Sequence, residues 1–139
     1  QVRGNYPNAK IITMGDFNDD PMESGFKNIL KTKMKKADVQ KNDIYNPFED
    51  MYRRGLNTAG YRDNINLFDQ ILISSQLLTT DKDYSSYKMK KAGIYNPKFL
   101  ISNKGRYKGY PFRSFSWGTY TGGYSDHYPV YMHLIREKK

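Results

Sequence analysis

Three short stretches of the chain carry side chains able to act together on one chemical centre. The first is Gly15-Asp16-Phe17-Asn18, a carboxylate and a carboxamide two residues apart at the end of an apolar run. An ionised Asp can take a proton from water or bind a hard cation, and an Asn amide can donate to a phosphate oxygen. The second is Asp69, the lone acid in Asn66-Leu67-Phe68-Asp69-Gln70-Ile71. A carboxylate in so apolar a segment is costly to bury unless paired, and it suits the task of orienting a histidine brought close in space. The third is Ser125-Asp126-His127. There Asp126 can ligate a hard divalent cation, and His127 can donate to or protonate a phosphate oxygen.

Each stretch also has a plain structural alternative. Asp16 and Asn18 can form an Asx-turn leading into a helix cap, Asp69 can be held by backbone groups, and Ser125 to His127 can be a loop cap beneath an exposed His. A calcium loop is excluded. Asp16, Asn18 and Asp20 stand at its first, third and fifth positions, but Pro21 replaces the sixth-position Gly and Lys27 the twelfth-position Glu. His133 alternates with Tyr131 and Ile135 along the last apolar stretch and reads as structural. The absence of cysteine excludes a thiolate nucleophile, a disulfide framework and a Cys-based zinc site.

The elements that must carry these residues can be read from patterning. Lys10 to Gly15 is a buried-strand pattern running into a turn. Asp20, Pro21 and Glu23 match the N-cap, N1 and N3 positions of a capping box, predicting a helix with Phe26, Ile29 and Leu30 on its apolar stripe and the basic Lys31 to Lys36 at its end. Asn46-Pro47-Phe48-Glu49 repeats that start signal for a short helix closed by Gly55. Asn57 to Tyr61 predicts a weak strand, Asp63-Asn64 a turn, and Ile65 to Ser74 one continuous strand buried on both faces. Tyr84 to Tyr110 is basic and aromatic, a strand followed by a long loop. Pro111 to Tyr124 continues as loop, and Tyr128 to Ile135 closes the chain as a strand. Residues 1–139 read as one unit without repeats or linkers.

Composition sets limits on this reading. The 139 residues carry a net charge of +9, which suggests an anionic partner or simply a soluble surface. Leu, Ile, Val and Phe together make up about a fifth of the chain, near the level at which charged sequences stop folding. The 13 tyrosines are therefore expected to supply much of the buried area, ring inward and hydroxyl outward. No apolar run approaches the roughly 18 residues of a membrane span. The start at Gln1, without Met or a signal-peptide pattern, reads as part of something longer.

The joint pattern is more specific than its parts. Met14-Gly15-Asp16-Phe17-Asn18-Asp19-Asp20-Pro21, Asn66-Leu67-Phe68-Asp69-Gln70-Ile71 and Gly122-Gly123-Tyr124-Ser125-Asp126-His127-Tyr128-Pro129-Val130, in that order, resemble the endonuclease/exonuclease/phosphatase superfamily related to pancreatic DNase I. The texture is similar to that of a bacterial subgroup, and the match runs from about Asn8 onward. The resemblance implies an α/β (α+β) fold, the two-sheet four-layer sandwich, of which residues 1–139 form the C-terminal half of a single domain. It further implies a hydrolase, a Mg²⁺- or Mn²⁺-dependent phosphoesterase of nuclease or phosphatase type. In that role Asp16 aligns or deprotonates the attacking water, Asn18 holds the water and the phosphate, and Asp126 (with Asp16) holds the metal. His127, oriented by Asp69, stabilises or protonates the phosphoryl oxygen. The superfamily's early Asn, its metal-binding Glu and a second His have no counterpart before Lys10, so the partner expected first is the N-terminal half of the same domain.

The substrate is expected to be phosphorylated, a nucleic acid among the options. Specificity in such folds lives in loops, and Lys104 to Trp117, with Arg113 and Trp117, is the expected contact region. The competing reading is a non-catalytic nucleic-acid-binding module using residues 84–110, in which Lys and Arg neutralise phosphates while Tyr stacks on bases. It explains the charge but not the ordered acidic and His motifs.

Overall fold

The computed structural model describes residues 2–61, 64–78 and 82–138. It is mixed α and β, with several antiparallel sheets and few helices. After a four-residue helix α1 (Val2–Asn5), the first apolar run forms β1 (Ile12–Asp16), which pairs antiparallel with β5 (Asp69–Ser74). β5 also pairs with the two-residue β2 (Ile44–Tyr45), so the sheet order is β1-β5-β2. A second sheet joins β6 (Lys88–Ile94) to β9 (Val130–Ile135). Two hairpins, β3 (Ala59–Tyr61) with β4 (Asn64–Asn66) and β7 (Phe115–Ser116) with β8 (Thr119–Tyr120), complete the strands.

The core lies between the two sheets. Ile71, Ile73 and Tyr45 of the first meet Ala92, Met132 and Leu134 of the second, and Phe48, Met51, Leu67, Leu77 and Met89 fill the gaps. Burying a side chain such as Phe48 or Ile73 contributes about 1.5–3 kcal/mol. Among residues with described side chains, Tyr45 and Tyr128 are the tyrosines that enter the buried core; Tyr6, Tyr87, Tyr95, Tyr107, Tyr120 and Tyr124 are exposed. The expectation that tyrosines supply much of the core is thereby corrected: Leu, Ile, Phe and Met do so, and those six rings face solvent.

The second helix signal matches what forms. α2 (Phe48–Arg53) starts where the Asn46 carboxamide oxygen accepts the Phe48 amide at 3.0 Å, and it ends at Gly55. The first does not. In place of a helix capped by Asp20 there is one π-helical turn, Gly25–Ile29, with no side-chain cap, and Ile29 is 78% exposed. Asp20 has a stronger use elsewhere. Its carboxylate accepts the Leu67 amide at 2.6 Å, the Asn66 carboxamide at 2.9 Å and the Tyr52 hydroxyl at 3.3 Å. Tertiary acceptance of three donors outweighs a local cap. The continuous strand expected from Ile65 to Ser74 is likewise broken at Leu67-Phe68, which turn away to meet Asp20 and the Phe17 amide. Asp63 of the expected Asp63-Asn64 turn lies outside the described residues.

Polar groups clamp the strand ends to this core. Gln70 is fully buried; its amide donates to the Asp19 and Leu67 carbonyls, and its carbonyl accepts from Asn46. Buried Glu49 accepts from Lys27 at 2.8 Å and Arg53 at 3.2 Å. By contrast β1 is exposed along its whole length. Ile12 and Met14 lie opposite Ile73 and Ile71 on one face of the sheet, yet they are 41% and 72% exposed. The apolar face continues past its cover.

Burial raises the pKa of the phenols of Tyr45 and Tyr128, and of Tyr52, where Asp20 adds to the effect. The folded chain therefore keeps these protons longer than the unfolded chain does. The sign follows: stability is full below the ordinary tyrosine value of about 10 and falls as pH rises above it. The urea midpoint should accordingly be level from pH 8 to 9.5 and drop by pH 11; a midpoint that stays level through pH 11 would contradict the burial.

Candidate active site

The antiparallel register of β1 and β5 places Asp16 directly opposite Asp69. The Phe17 amide donates to the Phe68 carbonyl and the Ser74 amide to the Ile11 carbonyl, which puts the hydrogen-bonded pairs at the odd-numbered residues of β1. Asp16 and Asp69 are then a non-hydrogen-bonded pair, the kind in which opposed side chains stand closest. Two like charges in that position repel each other, so the pair calls for positive charge or donors around it.

His127 supplies the first of these. Its Nδ1 lies 2.6 Å from Asp69 Oδ2, with both side chains mostly buried. The contact spans 58 residues of sequence, so local geometry did not create it. Thr58 did much of the work. Its hydroxyl accepts the Asp69 amide at 3.2 Å, its carbonyl accepts the Tyr128 amide at 2.8 Å, and its neighbour Ala59 bridges to His127. With Nδ1 committed to the carboxylate, Nε2 is the nitrogen available to a substrate. The Ser125 hydroxyl accepts the His127 amide at 3.1 Å, forming the tight turn that carries Asp126 at the surface.

Asp16 sits just after Gly15, whose φ of +148° excludes most side chains. One Asp16 oxygen accepts the Asn18 amide at 2.8 Å, and Asn18 is in the left-handed region at φ +52°. The Asx-turn is thus real, and it bends Asn18 back over the end of β1 instead of leading into a helix cap. Gln70, holding the Asp19 carbonyl, and Asp20, holding the β4–β5 connection, fix this turn from behind.

Asp16, Asn18, Asp69 and His127 therefore gather at one end of the first sheet, and Asp126 follows on the His127 turn. Arg113 stands near, its guanidinium donating to the Gly60 carbonyl at 3.4 Å. Trp117 is at the tip of the β7–β8 hairpin, 93% exposed, with φ +50°. His133 is exposed on β9 beside the Tyr131 ring, with ring centroids 5.1 Å apart. Among the described residues no three His, Asp or Glu side chains come together as a metal-ion ligand group. Asp16 and Asp126 offer hard oxygen donors suited to Mg²⁺ or Mn²⁺, but these residues do not close a cage alone.

Sequence reasoning missed Thr58, Gln70, Asn46 and Asp20 as supports of the site. Thr58 and Gln70 have no local signal; Asn46 and Asp20 had one, and it pointed to helix caps.

A profile of the Endonuclease/Exonuclease/phosphatase family matches residues 1–136, nearly the whole chain. The chain belongs to this family. No curated protein and no solved structure matches it. At the level of the family the chain is a hydrolase with phosphoesterase-type chemistry, in a family whose members generally depend on divalent metals. Among the described residues no helix is long and apolar enough to cross a membrane.

Proposed function

We propose that the chain carries the water-activating and phosphate-stabilising side of a Mg²⁺- or Mn²⁺-dependent phosphoesterase active site of nuclease or phosphatase type. The observation that carries this reading is the Asp69–His127 pair at 2.6 Å, set beside Asp16 directly opposite Asp69. Asp16 would orient the attacking water and take its proton, and Asn18 would donate to the water or a non-bridging phosphate oxygen. His127, in its doubly protonated form, would donate its Nδ1–H to Asp69 and its Nε2–H to the phosphoryl oxygen on which charge develops. Arg113 and Trp117 would contact the rest of the substrate. Asp126 and Asp16 are the carboxylates offered to the ion.

We further infer that the domain is completed by additional polypeptide packing on β1. Its exposed Ile12 and Met14 continue a face that is buried on β5, and the two carboxylates offered to the ion lack a third ligand among the described residues. The 139-residue chain alone should then hydrolyse bis-p-nitrophenyl phosphate at background rate with Mg²⁺ or Mn²⁺. A rate typical of complete domains would overturn this part. The test of the whole reading is made in a polypeptide extended upstream of Gln1, comparing the parent with Asp126→Ala and His127→Ala and with chelator added. Loss of hydrolysis in both variants and on chelation is the expected result, and unchanged turnover rejects it.

The alternative, a non-catalytic nucleic-acid-binding module on residues 84–110, has support in the exposed Tyr87, Tyr95 and Tyr107 and the exposed lysines between them. It leaves the convergence of Asp16, Asp69 and His127 without a purpose.

A further inference from the structure

The long loop after β6 is pinned to the active-site end of the molecule at two points flanking His127. On one side the Tyr128 hydroxyl donates to the Gly109 carbonyl at 3.1 Å. On the other, the Tyr110 ring packs against Gly60, one residue from the Ala59 that bridges to His127; a Cβ there would come within 2.6 Å of the ring. Arg113 adds its 3.4 Å bond to the Gly60 carbonyl. The loop lines a cavity of about 180 Å³ with Tyr107, Tyr110 and Phe112 together with Arg113, Ser102 and Ser116. Backbone bonds brace it from both sides, Ser102 to Tyr110, Phe112 to Leu100 and Tyr124 to Phe112.

Resting on the phosphoesterase reading of the neighbouring site, we propose that this cavity receives the base of a nucleotide whose phosphate lies at Asp16 and His127. Size is the first argument. The cavity is well below the roughly 300–1,000 Å³ of pockets for drug-sized ligands, so it takes one ring system and not an oligosaccharide or an acyl chain. Chemistry is the second. Aromatic walls offer stacking to any base, and the guanidinium and two hydroxyls in the lining are donors for the carbonyl or ring-nitrogen acceptors that every base displays. Position is the third, because the loop that lines the cavity is anchored through Tyr128, the neighbour of His127, and through Gly60, the neighbour of the Ala59 that bridges to His127. An inositol headgroup lacks a planar face for these walls, and a choline, which aromatic rings alone would attract, is disfavoured by the like charge of the Arg113 guanidinium in the lining. Ser116, in the lining, adjoins Trp117, and the exposed indole is placed to stack on a second base outside the cavity. The substrate class is then a nucleotide unit in a single strand, whose bases are free to leave the stack.

The chain's single tryptophan is Trp117, so its fluorescence reports on this loop alone. The test titrates the 139-residue chain, by calorimetry and by Trp117 emission, with thymidylyl-(3′,5′)-thymidine and with glycerophosphocholine. Both are phosphodiesters, and the second has no base. The dinucleotide should bind at least about tenfold more tightly, and Tyr107→Ala should remove about that factor, the loss of one stacked base. Ser102→Phe, which fills the cavity, should do the same. Equal binding of the two ligands, no binding of either, or a dinucleotide titration unchanged in both variants overturns the proposal. His127→Ala, made in the polypeptide extended upstream of Gln1, separates the two readings: it removes hydrolysis under the phosphoesterase reading but leaves the preference for the dinucleotide over glycerophosphocholine in place. Hydrolysis that survives in His127→Ala beside base-dependent binding would therefore reject the catalytic reading and keep the pocket.

Discussion

Replacing His127 with alanine in an active, complete domain should lower kcat for phosphodiester hydrolysis by about a hundredfold to ten-thousandfold, the usual worth of a positioned acid–base group. The geometry behind this is specific. Nδ1 is committed to Asp69 at 2.6 Å, so the ring is held in one orientation, and only Nε2 can serve a substrate. Asp69→Asn should then also impair turnover, by a smaller factor, because a neutral amide does not support the doubly protonated ring that donates through Nε2, while the phosphate site is left intact. The two losses should not add. In the double variant kcat should match that of His127→Ala alone, since Asp69 acts through the ring. Additive losses would mean that Asp69 has an independent role, for instance as a partner of Asp16. Thermal melts of the variants serve as the control for folding.

Asp20→Ala should be the most damaging single change to stability made outside the apolar core. It strips three donors of their acceptor at once, the Leu67 amide, the Asn66 carboxamide and the Tyr52 hydroxyl, at a site that is 8% exposed. Leaving buried donors unsatisfied costs about 1–3 kcal/mol each, so a total near 3–5 kcal/mol is expected. Against a typical stability of about 5–15 kcal/mol, that corresponds to a melting temperature lowered by about 10 °C or more. Asp20→Asn discriminates between two roles for this residue. A helix cap tolerates Asn as well as Asp, whereas here the new amide would point a donor at the Asn66 and Tyr52 donors. A clear loss in Asp20→Asn is therefore expected, and a neutral result in urea denaturation would return Asp20 to the capping role. The same loss should weaken the site, because Asp20 ties the Asp16–Asn18 turn to the segment leading into β5.

Patterning reached the local features whose causes are local. The apolar run before Gly15 had to be a strand ending in a turn, because a glycine with φ +148° and an Asx-turn follow at once. Asn46 caps α2 because its donor is two residues away. Asp20 shows where this fails. The same Asp-Pro-x-Glu spelling that predicts a cap sits where three donors from distant segments converge, and a buried carboxylate goes to the larger set of donors. Trp117 fails for a related reason. A Trp-Gly pair is an unusual choice for a turn with positive φ at both central residues, so the β7–β8 hairpin was invisible in a stretch that reads as loop.

By itself the sequence determined which residue types are available for chemistry, their order, the family to which the chain belongs and the absence of thiol chemistry. Those depend on identity and spacing alone. Only the tertiary structure decided that Asp16 faces Asp69 across a non-hydrogen-bonded pair and that His127 reaches Asp69 over 58 residues. It alone decided that Thr58 and Gln70 hold the arrangement, and that an aromatic cavity opens beside it. The physical reason is common to all of these. Strand register and the satisfaction of buried polar groups are settled by partners far apart in the chain, and no window of neighbouring residues contains them.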